Sequence, residues 1–82
     1  MAAAQLTLVQ RRECELCEQM RRELDLLAAQ VALPALEIVD VDADPTLQRR
    51  HGLDVPVLLV DGAVACRHHL DRAELLRLLR AR

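Results

Sequence analysis

The chain has 82 residues, an apolar content of 52%, no aromatic residue, and a formal charge of −2 from 11 arginines against 13 carboxylates. This is the length of one small domain over residues 1–82. It is aliphatic enough to fold, and its mixed charges form no basic patch that asks for nucleic acid or an anionic membrane. Without aromatics there is no stacking platform for single strands, without Ser there is no serine triad, and two glycines make no phosphate loop.

Met1 to Gln10 is uncharged but has no basic leader and runs directly into Arg11, Arg12 and Glu13, which is not the pattern of a signal peptide. The longest other uncharged stretch, Leu26 to Leu36, is too short to cross a bilayer. A cytoplasmic location is therefore expected.

Gln5 to Gln10 reads as a first strand. Leu16, Met20, Leu24, Leu27 and Val31 follow at helical spacing, so an amphipathic helix should run from the cysteines to a point before Pro34. Ala35 to Val41 is a second strand. Asp44-Pro45 marks a helix start and Gly52 a helix stop, with His51 suited to the negative end of the helix dipole. Pro56 to Val60 and Ala63 to Cys66 flank Asp61-Gly62, the signature of a tight hairpin whose central residues need positive φ. Asp71 is the N-cap of a last helix, with Glu74 completing a capping box and Leu70 and Leu75 placed as a hydrophobic staple. The order is β-α-β-α-β-β-α. The opening β-α-β implies a parallel strand pair, and the hairpin adds antiparallel strands.

Three cysteines without a secretory leader argue for redox or metal chemistry rather than a disulfide scaffold. Cys14-Glu15-Leu16-Cys17 falls where strand turns into helix. The partial positive charge and unpaired N–H groups of a helix start stabilise a thiolate, and a spacing of three returns the second sulfur to the side of the first. Attack by Cys14 gives a mixed disulfide that Cys17 resolves from within.

At this point the chain resembles the glutaredoxin-like branch of the thioredoxin superfamily. The carriers are Leu6-Thr7-Leu8-Val9 leading to the Cys14–Cys17 motif, Asp54-Val55-Pro56, and the Val60-Asp61-Gly62 hairpin. The resemblance implies an α/β thioredoxin-like (glutaredoxin-type) fold with a four-stranded mixed sheet of order 2-1-3-4. It also implies a cis peptide at Val55-Pro56, whose residues line the substrate groove, and a thiol–disulfide oxidoreductase acting as a monomer on protein disulfides. Glutathione or a thioredoxin-type reductase would supply electrons, with no bound cofactor or metal.

Departures from the family shape further expectations. Glu15 and Leu16 replace the usual Pro-Tyr, and Glu13, Glu15 and Glu18 oppose thiolate formation while Arg11 and Arg12 offset them. Arg67-His68-His69 replaces the paired glycines before the last helix. His68 and His69 thus become candidates for substrate contact or proton transfer, and the charges of Asp54 and Asp71 should weaken glutathione binding. Two bland readings compete: a pair of core cysteines, and a zinc or iron–sulfur site built from Cys14, Cys17, Cys66 and His68. Cys66 alone reads as a small hydrophobe in an edge strand. A non-catalytic binding module on the same fold is the alternative to an enzyme.

Overall fold

The structure is a computed structural model that describes residues 4–81. The domain expected over residues 1–82 therefore has its first three residues and Arg82 outside the described residues. The elements, in order, are β1 (Leu6–Gln10), α1 (Glu15–Ala28), β2 (Leu36–Asp40), a 3-10 turn (Val41–Ala43), α2 (Pro45–His51), β3 (Val57–Val60), β4 (Ala63–Arg67) and α3 (Arg72–Arg80). The four strands form one sheet in the order β2-β1-β3-β4. β1 pairs in parallel with β2, placing Leu8 beside Ile38, and antiparallel with β3, placing Leu8 beside Leu58. This is the thioredoxin-like α/β architecture.

Period-two alternation sorts β1 and β3 between two layers. Leu6, Leu8, Leu58 and Val60 face α1 and α3, where they join Met20, Leu24, Leu27, Ala65 and Leu75 in the main core. Val9 and Val57 face the other way and meet Val41 in a smaller cluster that takes in Leu47 of α2. The hairpin turn has Asp61 at φ 50° and Gly62 at φ 85°, the backbone that Asp-Gly favours. Gln5 ties this turn to the start of β1, its N–H donating to Asp61 Oδ1 at 2.8 Å and its carbonyl accepting from the Asp61 N–H at 2.9 Å.

The inward face of α1 differs from the apolar spacing. Cys17, Met20, Leu24 and Leu27 are buried, whereas Leu16 lies on the outer side and Val31 falls beyond the helix end. Spacing could not separate Leu16 from Cys17, since either fits a ridge with Met20. The helix stops at Ala28, where the chain turns to bring Leu36 beside Leu6. β2 is one residue shorter at each end than the expected strand Ala35 to Val41; at its C-terminal end Val41 leaves the strand to bury its side chain from the 3-10 turn.

The caps follow the sequence signals. Asp44 Oδ1 accepts from the Thr46 and Leu47 N–H groups at 2.8 and 3.4 Å, and Asp71 Oδ1 accepts from the Glu74 N–H at 3.0 Å. The capping box at α3 is only half formed. The Glu74 carboxylate turns to Arg77, taking two hydrogen bonds at 2.6 and 2.9 Å. On β4 the register shifts between Leu58 and Leu59, so Ala65 is an extra residue opposite β3. This bulge lets both Ala65 and Cys66 pack on the α1/α3 side.

Candidate active site

Cys14 is the N-cap of α1 and Cys17 sits one turn inside, with a Cα–Cα separation of 5.2 Å and a disulfide joining them. The Cys17 N–H donates to Cys14 Sγ at 3.2 Å, so the first sulfur occupies the place an N-cap oxygen usually takes. Cys14 is half-buried, while Cys17 is only 1% exposed. Cys14 is thus the more accessible residue of the pair.

The turn between β1 and α1 contains Glu13 in the left-handed region at φ 54°. Glu13, Glu15 and Glu18 are all exposed around the sulfur-bearing turn. Arg11, expected to offset them, has partners of its own. Its guanidinium is bound elsewhere: Nε and Nη2 donate to the two oxygens of Asp42 at 2.8 and 3.0 Å, and Nη1 donates to the Gly52 carbonyl at 3.0 Å. This pairing raises the Arg11 pKa and holds the Asp42 carboxyl below its usual range, in both cases chiefly through the shared hydrogen bonds.

A second segment reaches the same end of the sheet. Val9 pairs with Val57 and Val57 with Arg67, so Pro56 and His68 lie at the end of β1 that leads to Cys14. The Val55–Pro56 peptide is cis, and the Pro56 carbonyl accepts from the His68 N–H at 2.8 Å. His68 itself is left-handed, φ 66°, at the centre of a three-residue turn closed by the His69 N–H and the Arg67 carbonyl at 2.7 Å. Positive φ at the centre of such a turn is rare and strained for a residue with a side chain. Where the family has paired glycines, a histidine here takes a positive-φ backbone.

Asp54 has two basic neighbours at this end of the sheet. Arg67 Nε lies 3.8 Å from its Oδ2 and His68 Nε2 lies 3.9 Å from its Oδ1. Asp71 is turned to the N-terminus of its own helix. The His69 side chain is exposed and makes no side-chain hydrogen bond among the described residues.

Cys66 is a free, half-buried thiol packed against the main core. Burial pushes its pKa above the usual thiol range; the Asp71 N–H partly offsets this, while the Asp71 and Glu23 carboxylates add to it. Among the described residues no three His, Cys, Asp or Glu side chains are grouped to hold a metal ion, so the expected alternative of Cys14, Cys17, Cys66 and His68 as ligands has no geometric support. Among the described residues no helix is long and apolar enough to cross a membrane.

Sequence reasoning placed Arg11 near the dithiol but missed its tie to Asp42 and Gly52. These partners lie 31 and 41 residues from it, beyond the reach of any local pattern.

Comparison with known proteins agrees with this geometry. No curated protein sequence matches the chain. Protein Ne2328 from Nitrosomonas europaea superposes with a TM-score of 0.83 at 27% identity, over 96% of this chain and 94% of that one. Target protein XcR50 from X. campestris is 34% identical with a TM-score of 0.66, over 94% and 97% of the two chains. Fasciola hepatica thioredoxin, at 16% identity and a TM-score of 0.62 over 96% and 80%, shares the fold. Residues 5–80 match the family described as Glutaredoxin-like domain (DUF836), and the chain belongs to that glutaredoxin-like family.

Proposed function

We propose that this protein is a thiol–disulfide oxidoreductase that reduces protein disulfides. The observation that carries the reading is the asymmetry of the dithiol: an accessible Cys14 at a helix N-cap, paired with an inner Cys17 that is 1% exposed. In the reduced protein the Cys14 thiolate attacks one sulfur of a substrate disulfide. The substrate S–S bond breaks, a Cys14–substrate bond forms, and the released substrate sulfur takes up a proton. Cys17 then gives up its proton and attacks Cys14 Sγ. This closes the Cys14–Cys17 disulfide and releases the second substrate thiol, so two electrons pass from protein to substrate.

Val55 and cis Pro56 form the groove wall beside the sulfurs, and His68 and His69 contact the substrate or relay its proton. Glutathione or a thioredoxin-type reductase restores the dithiol. Glutathione is a poor fit here, because Asp71 already occupies the α3 N-terminus where an incoming carboxylate would bind. We place the protein in the cytoplasm as a monomer, with no resident cofactor. The test is turnover of a disulfide-bonded polypeptide with a small dithiol as electron source. Cys14→Ser should abolish it, and Cys17→Ala should accumulate a mixed disulfide on Cys14. Undiminished turnover by Cys14→Ser would sink the reading.

A further inference from the structure

Two loops must keep a fixed separation for the dithiol to meet a substrate: residues 11–14, which carry Cys14, and residues 52–56, which carry Val55 and Pro56. The second loop has little apolar anchorage at its start. Leu53 is 97% exposed, and α2, which leads into the loop, buries none of its residues. Arg11 supplies the missing anchor. Its three donated hydrogen bonds join the first loop to Asp42 of the 3-10 turn and to the carbonyl of Gly52, and Gln48 Nε2 of α2 donates to Asp42 Oδ1 at 3.2 Å. A Cβ at Gly52 would lie 2.5 Å from the Gln48 carbonyl oxygen, so only glycine lets the chain pass close enough to present its carbonyl to Arg11 without a shift.

We propose that Arg11 is a positioning residue that locks the 52–56 loop against the dithiol turn and so sets how well a polypeptide substrate seats beside Cys14. The idea rests on the oxidoreductase reading for its kinetic consequence but not for its structural one. Guanidinium geometry is required, because a point charge on lysine can pair with Asp42 but cannot span to Gly52 as well.

The experiment compares reduced wild type, Arg11→Gln, Asp42→Asn, the double variant and Arg11→Lys. Amide exchange at Asp54, whose N–H donates to the His51 carbonyl at 2.9 Å, reports the loop without needing activity. In Arg11→Gln that amide should exchange about tenfold faster or more, as local opening becomes easier. The KM for a disulfide-bonded polypeptide should rise about tenfold while kcat changes by less than about threefold, as expected for a misplaced groove rather than altered chemistry. Alkylation of Cys14 by iodoacetamide, which needs no groove, should stay within about twofold of wild type. Asp42→Asn should reproduce these effects, the double variant should be no worse than either single change, and Arg11→Lys should recover part of the loss. Unchanged exchange at Asp54 in both single variants overturns the proposal. Loss of alkylation in step with turnover overturns it too, by placing Arg11's effect on the thiol itself. If wild type reduces no disulfide, the oxidoreductase reading fails, and exchange alone decides the role of Arg11.

Discussion

Between the sheet and α1 with α3, nine side chains are buried in one cluster, whereas on the α2 side Val9 and Val57 of the sheet and Val41 of the 3-10 turn are buried, and α2 adds no buried residue of its own. The thick face is an ordinary aliphatic core in which Leu, Met and Val fill the space between layers. The thin face combines a smaller apolar cluster, which also takes in Val39, Leu47, Val55, Leu59 and Val64, with polar ties: Asp44 capping α2, Asp40 Oδ1 accepting from the Asp42 N–H at 2.9 Å, and Arg11 bridging Asp42 to Gly52. Stability is concentrated on one side of the sheet. The loop carrying Val55 and Pro56 belongs to the other side: Val55 packs on the smaller cluster, Pro56 is buried, and Arg11 ties the loop's start at Gly52.

That contrast can be broken from either side. The largest effect should come from the thick face, where Leu8→Ala or Leu75→Ala removes a fully buried side chain and should cost about 2–5 kcal/mol in denaturant unfolding. A loss below about 1 kcal/mol at both positions would mean that this core collapses around the gap. On the thin face, Val57→Ala removes two methyl groups at a fully buried site and should cost about 2 kcal/mol. Asp44→Ala deletes a cap of α2 and should cost about 1 kcal/mol while leaving α1 and α3 intact by amide exchange. A larger loss from Asp44→Ala than from Leu8→Ala would invert the comparison.

The smallest effect is the pH dependence of stability. Asp42 and Glu74 are held below the usual carboxylate range by Arg11 and Arg77, so the folded chain binds fewer protons than the unfolded one in acid. Their contribution is present above the ordinary carboxylate pKa of about 4 and is lost as pH falls through the lower folded values. Cys66 has the opposite sign. Its folded pKa is raised, so its contribution holds below the ordinary thiol pKa of about 8.5 and is lost as pH rises through the raised value. Thermal melts across pH should therefore decline at both ends. Asp42→Asn should flatten the acid limb, and Cys66→Ala the alkaline one; an unchanged limb in either variant removes that assignment.

What could be read in advance divides along the range of the interactions concerned. The Asp61-Gly62 turn, the Asp44 and Asp71 caps and the placement of Cys14 at a helix start are settled by neighbours a few residues away, and the structure has each of them. Leu16 and Cys17 could not be told apart because the choice is made by what packs against α1, not by helical period. The bulge at Ala65, the 3-10 turn that buries Val41 and the left-handed His68 come from the fit of distant segments around the sheet. At the candidate site the cysteines, Val55, Pro56 and His68 were visible as residue types. The pairing of Arg67 and His68 with Asp54, and of Arg11 with Asp42, was not, because a charged residue carries no sign of its partner.

In the proposed mechanism Cys14 is the reacting sulfur and Cys17 the internal one. Partial alkylation of the fully reduced protein at neutral pH, followed by mass mapping of the modified residue, tests it most directly. Cys14 should be labelled first, with Cys17 shielded by its burial, and Cys66 should react slowly because its buried thiol resists ionisation. Labelling of Cys17 ahead of Cys14, or of Cys66 ahead of both, would contradict the account.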